Sequence, residues 1–425
     1  MSGALTLGGV ALDAAMAALR RHEPAARAFW LYDLDAFRAR AERLVRAFGA
    51  EGVHAAYALK ANGCWALVSA AREAGLDADA GSLGELELAR ANGFAAARLT
   101  LSGNGRTSEE AAWACAHGVS CVSADHVGEL DLLNAAAAAA GVTLRVALRV
   151  NPGIATPGHR YVATGGHDAK FGVSAEEALA AWEARARWPR LVVDGLHLHV
   201  GSQLLDTGPL EDAARAARAL AEASAARGAP LALVNLGGGF GIDYDGEGRE
   251  FPVETWARRL GEHARESGLT WRIEPGRWLV ASIGVLVAEV LWEKRRAEDG
   301  DVHRFVVLGA GMNDLIRPAL YGARHRIVPV RPREGERTDA AVVGPVCESG
   351  DTFAEAVALP PLERGDLVAL LDAGAYGAVM SSQYNGRGRL AELVVERGAL
   401  RVARRAERPD ALRERDCDVG LRLES

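Results

Sequence analysis

The sequence predicts an α/β fold: a (β/α)8 TIM-like barrel plus a C-terminal, mainly antiparallel β domain. Two observations lead to this prediction. Between residues 54 and 274, eight short β-rich runs alternate with Ala-, Glu- and Arg-rich stretches of helical period. After about residue 278, strand-like runs follow one another without long helices between them. We therefore expect a barrel over residues 35–277 and a β domain built from residues 1–34 and 278–425.

The expected barrel strands are 54–59, 77–80, 97–101, 119–123, 143–150, 191–200, 231–236 and 270–274. The expected helices include 82–92, 107–117, 125–140, 174–188 and 207–227, several of them opened by Ser or Thr at the N-cap. The expected strands of the second domain are 283–292, 304–308, 339–343, 367–371 and 391–395, and "AFWLYD" (28–33) could join them. The segment 331–337 reads as a solvated loop, and the poly-Ala run 135–140 as a helix interior.

Composition narrows the function classes. Hydrophobic residues make up 49% of the chain and charged residues 25%, as in soluble globular enzymes. The net charge of -7 opposes binding to the phosphate backbone of nucleic acid. The N-terminus lacks a basic flank, and the most apolar window (278–292) is too short to cross a bilayer, so we expect neither an export signal nor a membrane span.

The five cysteines are widely spaced and contain no CxxC pair; they are Cys64, Cys115, Cys121, Cys347 and Cys417. This pattern argues against a disulfide framework and against a thiolate metal site. No metal is expected, and a reducing cytoplasm fits best.

Lys60 ends the first expected barrel strand in "HAAYALKANG" (54–63). Barrel enzymes build their active sites at such strand ends, although a lysine there is also typical of a solvated terminus. After the seventh strand, Gly237, Gly238 and Gly239 could bind phosphate through backbone N–H groups, with a tight turn as the alternative. A phosphate site together with a strand-end lysine is more informative than either signal alone.

Two more strand ends carry polar side chains. "IEPGRW" closes the eighth strand, and Glu274 there could pair with a protonated ring nitrogen of a cofactor, or form an ion pair with Arg277. In "LHLHVGSQ", His197 and His199 alternate and so are expected on opposite faces, which disfavours joint metal binding. One of them could stack on a planar cofactor with Ser202 near its phosphate, or be a hydrogen-bonded core histidine.

In the second domain, Cys347 and Glu348 lie in the glycine-bounded loop "GPVCESGDTF" (344–353). The loop is too polar and turn-rich for a core thiol. An exposed and reactive thiol is therefore favoured over a structural cysteine.

Seven motifs occur in a fixed order: "YALKANG", "HVGSQ", "GGGFG", "EPGR", "GMNDLIRPALY", "CESGD" and "AGAYG...SSQYN". Together they resemble the pyridoxal-phosphate-dependent decarboxylases of the alanine-racemase-like barrel fold (fold type III). The resemblance is strongest to the diaminopimelate decarboxylase family and covers residues from about 28 to about 400.

The resemblance implies a role for each matching residue. Lys60 matches the lysine that forms a Schiff base with pyridoxal 5'-phosphate, and Cys347 matches the acid that reprotonates Cα. The implied cofactor-binding residues are Lys60, His199 (ring stacking), Glu274 (pyridine nitrogen), Ser202, Gly238, Gly239, Gly276, Arg277 and Tyr376. The implied substrate-binding residues are Arg277, Arg317, Tyr321, Glu348 and Tyr376. Cys347 and Glu348 would come from the neighbouring subunit of a homodimer with shared active sites.

The implied reaction is decarboxylation of meso-2,6-diaminopimelate to L-lysine and CO2, the final step of lysine biosynthesis. Two arginines and a glutamate suit an amino acid with a distal carboxylate and a distal ammonium, since Arg binds carboxylate through two parallel N–H bonds. A substrate without the distal carboxylate would give Arg317 nothing to bind.

Departures from the family pattern keep a first alternative open. Gly309 stands where the family commonly has Asp, and Cys64 and Trp65 follow the lysine motif where smaller or polar residues are more usual. A paralogous decarboxylase acting on a different or modified amino acid in specialised metabolism is therefore an alternative. The segment 151–173, rich in Gly, Pro and His, is a candidate lid.

Two other classes of protein are expected to differ from this sequence at one or two identifiable positions. An amino-acid racemase on the same barrel is expected to place Arg, not Glu274, against the pyridine nitrogen, and a catalytic Tyr at the place of Cys347. A non-catalytic pyridoxal-phosphate-binding protein is expected to have lost Lys60 or Cys347, and this sequence keeps both.

Overall fold

The computed structural model describes residues 3–154, 170–298, 301–408 and 410. The chain divides into two compact units, residues 36–280 and residues 1–35 with 281–425. Cys417 and most of the candidate lid, residues 155–169, lie outside the described residues. Within the described ranges, no helix combines the length and the apolarity that crossing a membrane requires.

The first elements are β1 (Thr6–Leu7), β2 (Val10–Ala11), α1 (Leu12–Arg20), β3 (Ala28–Asp33) and α2 (Leu34–Gly49). The next are β4 (Val53–Ala58), α3 (Trp65–Glu73), β5 (Asp77–Ala80), α4 (Leu83–Ala91), β6 (Leu99–Leu101), α5 (Ser108–His117), β7 (Cys121–Ala124) and α6 (Gly128–Ala140). They are followed by β8 (Leu144–Arg149), α7 (Ala175–Glu183), β9 (Leu191–His197), α8 (Gly208–Ala226), β10 (Leu233–Asn235), α9 (Val253–Ser267), β11 (Thr270–Ile273) and α10 (Arg277–Val280).

Strands β4 to β11 form a closed barrel in chain order. All neighbouring strands are parallel, and β11 closes the ring by pairing Trp271 with Val53 of β4. The predicted eight-stranded barrel is confirmed. Because all eight strands point the same way, their C-terminal ends meet at one mouth.

Local chemistry fixes where the barrel helices begin and end. Thr107 caps α5 and Ser174 caps α7 in capping boxes, in which the cap and a glutamate three residues later satisfy each other's backbone N–H groups. α5 ends at Gly118, whose φ of 73° is a left-handed conformation that glycine adopts without strain. The poly-Ala run is helical as predicted, but it forms the C-terminal end of α6, not its interior.

The second unit continues with β12 (Gly284–Glu298), β13 (Asp301–Leu308), α11 (Arg317–Tyr321), β14 (Ile327–Pro329), β15 (Thr338–Val343), β16 (Thr352–Leu359), β17 (Leu367–Leu370), β18 (Glu392–Glu396) and β19 (Ala399–Arg404). Its sheet has the order β16-β15-β13-β12-β3-β18-β19, with β17 paired to β12 and β14 paired to β17. Most pairings are antiparallel, whereas β3–β18 and β13–β15 are parallel. The early strand "AFWLYD" joins this sheet as predicted, and α1 packs Leu12 and Met16 against its residues Phe29, Val287 and Leu393.

The sequence prediction missed β1, β2, β14, β16 and β19. β16 reads "TFAEAVAL", a composition that favours helix, and only Phe353 and Leu359 in it are buried. Pairing with β15 overrides that local preference. The segment 331–337 is exposed throughout, as predicted for a solvated loop.

Candidate active site at the barrel mouth

Lys60 lies in a single turn, Leu59–Ala61, directly after β4, and its Nζ is 3.5 Å from Oδ2 of Asp79 in β5. Asp79 is 1% exposed, and neither of its carboxylate oxygens accepts a hydrogen bond from the described residues. A buried carboxylate needs a compensating cation. Lys60 is the ion-pair partner that the structure gives it, so the lysine is held at the mouth of the barrel.

Glu274 follows β11 and is 4% exposed. The Asn235 side-chain amide donates a hydrogen bond to its Oε1, and Nε2 of His197 lies 3.7 Å from its Oε2. Burial raises the pKa of Glu274 well above that of an ordinary carboxyl group; the charge of Asp79 adds to this, and Lys60 opposes it. A cation placed against Glu274 would therefore strongly favour its carboxylate form.

Both histidines of "LHLHVGSQ" are neutral, because burial lowers the pKa of each well below its usual value. His197 shares a 2.6 Å hydrogen bond between its Nδ1 and Oγ of Ser123, while its Nε2 has no hydrogen-bond partner among the described residues. Nδ1 of His199 accepts the N–H of Gly238 at 3.2 Å. Because β9 ends at His197, the expected alternation to opposite faces does not extend to His199.

The glycines after β10 and β11 pack too closely for side chains. A methyl group at Gly237 would lie 2.5 Å from Nδ1 of His199, and one at Gly238 would lie 2.5 Å from the carbonyl oxygen of Glu274. A methyl group at Gly276 would lie 2.8 Å from the Ala61 side chain. Gly239 has a φ of +104°, which other residues rarely adopt. The bare backbone packs into a tight cradle, in which the N–H of Gly237 donates to Oδ1 of Asn235 at 2.9 Å and that of Gly238 donates to His199.

Arg277, at the start of α10, is 7% exposed. Its Nε and Nη2 donate to Oγ of Ser202 at 3.3 and 3.0 Å, and its Nη1 donates to the Tyr244 hydroxyl at 2.9 Å. The Glu274 side chain accepts a hydrogen bond from Asn235, whereas the Arg277 side chain donates to Ser202 and Tyr244. The guanidinium holds the Ser202 hydroxyl beside the glycine turn.

The remaining predicted site residues belong to the β unit. Arg317 is 5% exposed, and its Nη1 lies 3.0 Å from Nε2 of His325, whose Nδ1 donates to the carbonyl of Leu371 at 2.9 Å. Tyr321 ends the same short helix. Tyr376 has a φ of +56°, a left-handed backbone that is uncommon for an aromatic residue.

Cys347 is exposed, as the sequence predicted, whereas Cys64, Cys115 and Cys121 are buried free thiols. Its backbone N–H donates to Oδ1 of Asn385 at 2.7 Å. The neighbouring Glu348 accepts a long, 3.4 Å hydrogen bond from the Tyr384 hydroxyl.

Sequence reasoning missed several polar residues of the barrel mouth: Asp79, Ser123, Arg149, Asn235 and Tyr244. Four of these lie in barrel strands or at their C-terminal ends, and Tyr244 lies in the segment after the glycine turn. The strand-end rule that selected Lys60 would have found the first four if it had been applied to every strand.

Comparison with known proteins agrees with this geometry. Residues 34–281 match the family described as pyridoxal-dependent decarboxylase, pyridoxal binding domain. Diaminopimelate decarboxylase of Aquifex aeolicus is 37% identical over 363 residues, covering 85% of this chain and 86% of that protein. The Helicobacter pylori enzyme of the same name is 36% identical over 380 residues, covering 89% and 93%.

The chain belongs to the diaminopimelate decarboxylase family. The resemblance predicted from the seven motifs is confirmed. A crystal structure of the Helicobacter pylori diaminopimelate decarboxylase complexed with L-lysine superposes with a TM-score of 0.87 at 34% identity, covering 94% of this chain and 99% of that one.

The family is pyridoxal-dependent, and the residues of the barrel mouth fit pyridoxal phosphate. The cradle over Gly237–Gly239 and Gly276 lies beside the Ser202 hydroxyl and the Arg277 guanidinium, groups of the kind that bind phosphate oxygens. Lys60 supplies an amine at the mouth. Glu274 is a buried acid with a raised pKa, and a nearby cation would stabilise its carboxylate form. Nε2 of His197 and the carboxylate oxygens of Asp79, which have no hydrogen-bond partner among the described residues, are polar atoms of the kind that a polar cofactor satisfies.

Proposed function

We propose that this chain decarboxylates meso-2,6-diaminopimelate to L-lysine and CO2, the final step of lysine biosynthesis. The observation that carries the proposal is the Lys60–Asp79 pair beside the buried Glu274, at the mouth of one barrel. Relatives at 36–37% identity bear the same enzyme name, and one neighbouring structure contains L-lysine.

In this proposal the barrel, residues 35–277, holds the cofactor. Lys60 binds it covalently through Nζ, and His199 lies against its ring. Gly238, Gly239, Gly276 and the Arg277-held Ser202 bind its phosphate. When bound, pyridoxal phosphate supplies a conjugated ring that accepts the electron pair left at Cα as CO2 departs.

The protein residues then control charge and protons. Glu274, oriented by Asn235, keeps a negative charge against the ring nitrogen and so favours its protonated form. The Cys347 thiol donates a proton to Cα on one face. Arg317 binds the distal carboxylate through its planar guanidinium, whose Nη1 is held 3.0 Å from Nε2 of His325.

The β unit, residues 1–34 and 278–425, supplies the substrate contacts Arg317, Tyr321, Glu348 and Tyr376, the last of which also contacts the cofactor. Arg277 contributes a further substrate contact from the barrel. In this proposal the protein is a cytoplasmic homodimer in which Cys347 and Glu348 serve the active site of the neighbouring subunit. The exposure of Cys347 supports this, since a proton donor buried within its own subunit could not reach another.

Product analysis is the decisive experiment. Purified protein loaded with pyridoxal phosphate should release CO2 and L-lysine from meso-2,6-diaminopimelate in equal amounts. Turnover of another amino acid with none of this one would identify a paralogue. Interconversion of stereoisomers without CO2 would identify a racemase.

The attachment site can be tested without turnover, because the sequence contains just three lysines: Lys60, Lys170 and Lys294. Borohydride treatment of the loaded protein followed by peptide mass spectrometry should place the cofactor on Lys60. Lys60→Ala should lose the label and the visible absorbance of the bound cofactor. Lys294→Ala, an exposed position in β12, is the matched control and should keep both.

Shared active sites can be tested by mixing inactive variants. Lys60→Ala is expected to be inactive and Cys347→Ala to keep only about 1% of wild-type activity, yet mixed dimers of the two would contain one intact site. Statistical mixing should then restore roughly a quarter of the wild-type activity. Absence of any recovery in verified mixed dimers would place both residues of each site in one subunit.

A further inference from the structure

Asp351 holds the loop that carries Cys347. The side chain is 3% exposed and accepts two short backbone hydrogen bonds: Oδ1 from the N–H of Met312 and Oδ2 from the N–H of Val346, each at 2.6 Å. Its backbone carbonyl also accepts the N–H of Gly344 at 3.0 Å. One carboxylate therefore joins the turn 311–314 to the loop 344–351.

The packing around this carboxylate leaves it little freedom. A methyl group at Gly344 would overlap the Asp351 carboxylate and would lie 2.5 Å from Cα of Gly311. A methyl group at Gly311 would lie 3.1 Å from Oδ2 of Asp351. The two backbone segments approach each other at glycines, and the carboxylate fills the space between them. Interiors packed this closely resist displacement.

Asn385 fixes the next amide along the loop. Its Oδ1 accepts the Cys347 N–H at 2.7 Å, directly after the Val346 N–H that Asp351 accepts. Asn385 has a φ of +58°, a left-handed conformation that Asn tolerates better than most residues. With two consecutive amides bound by side chains, the backbone that carries the Cys347 side chain is restrained.

The turn held by Oδ1 of Asp351 leads into α11, which begins at Arg317 and ends at Tyr321. The same carboxylate thus connects the loop bearing the thiol to the helix bearing the proposed carboxylate-binding arginine. Small displacements at a reacting group cost large factors in rate, so a side chain that fixes the loop bearing the thiol affects proton delivery.

We propose that Asp351, assisted by Asn385, is the positioning residue for the Cys347 thiol. The inference rests on the proposed function, in which Cys347 gives a proton to Cα. Asp351 acts through two backbone amides and does not touch the substrate, so its removal should misplace the proton donor rather than abolish substrate binding.

A double-mutant cycle on the holoenzyme tests this. Cys347→Ala should lower kcat about 100-fold, and Asp351→Ala should lower it by about tenfold with a smaller change in KM. Because Asp351 acts through Cys347, the double variant should fall within about twofold of Cys347→Ala. Asn385→Ala, at an exposed position, should repeat the pattern with a smaller loss.

The outcomes are distinguishable. If Asp351→Ala costs as much in the Cys347→Ala background as in the wild type, the residue acts elsewhere and the positioning role is wrong. If Cys347→Ala turns over at the wild-type rate, the proton-donor role in the proposed function fails, and this inference fails with it.

Asp339→Asn is the matched control, since Asp339 is an exposed aspartate on the adjacent strand β15, and it should leave kcat unchanged. Far-UV circular dichroism identifies variants that do not fold. If Asp351→Ala does not fold, Asn385→Ala decides alone: an unchanged kcat there, or a loss that multiplies with that of Cys347→Ala, overturns the proposal.

Discussion

Between pH 5 and pH 8, the free energy of unfolding of the wild type should fall by about 2–3 kcal/mol more than that of the Asp314→Asn variant. Asp314 is 3% exposed, and its Oδ2 accepts the N–H of Gly311 at 3.0 Å. Burial raises the pKa of Asp314 from 3.8 to about 7, with a further increase from the charge of Asp351 and an opposing effect of Arg387.

The sign follows from where the proton binds more tightly. The folded-state pKa lies above the unfolded one, so the stabilisation from protonated Asp314 is fully present below pH 3.8 and is lost as the pH rises through about 7. At pH 5 the unfolded carboxyl is already mostly ionised and the folded one is not. Between pH 5 and pH 8 the net loss is about two pKa units, at about 1.4 kcal/mol each.

Urea unfolding of wild type and Asp314→Asn at pH 5, 6, 7 and 8, with cofactor saturation held constant, measures the effect. The asparagine is neutral, similar in shape, and can still accept the Gly311 N–H. As the pH rises, the free energy of unfolding of the wild type should therefore fall relative to that of the variant. Asp339→Asn, at an exposed position, should parallel the wild type. Parallel curves for Asp314→Asn as well would refute the raised pKa.

Three further predictions concern the mouth of the barrel and the family departure at position 309. Gly238→Ala should weaken cofactor binding about tenfold in an absorbance titration, because its methyl group would lie 2.5 Å from the carbonyl oxygen of Glu274; an unchanged dissociation constant would contradict the cradle. Asn235→Ala should also weaken it about tenfold in the same titration, because it removes the amide that donates to the Glu274 carboxyl group. Gly309→Asp should lower the free energy of unfolding by about 1–3 kcal/mol, because its Cβ would lie 2.6 Å from Cβ of Arg27; a melting temperature equal to that of the wild type would show that the site has room.

The contact at position 309 is also relevant to the departure from the family pattern. Gly309 packs against the backbone and Cβ of Arg27, so this chain has no space there for the usual aspartate. The Arg27 guanidinium, with that of Arg20, binds the buried carboxylate of Glu289. Packing within the β unit therefore favours glycine at position 309 of this chain.

Local sequence patterns were sufficient to predict the barrel and part of its active site. Alternation of short apolar runs with helical stretches reports which faces are buried, and eight such runs are the count of a barrel. Lys60 and Glu274 could be selected because the end of a parallel strand is a position that the sequence itself marks. By contrast, β16 was missed because its composition favours helix, whereas its pairing partner β15 decided its conformation.

The amino-acid sequence by itself therefore determined the fold class and the positions of Lys60 and Glu274. Only the tertiary structure decided that Lys60 meets Asp79, and that Asp351 binds the N–H groups of Met312 and Val346. Hydrophobic periodicity records burial, a property of each residue and its near neighbours. The partner of a buried polar group is chosen by distance in the folded chain, because every such group must find its charge or hydrogen bond wherever the packing brings one within reach.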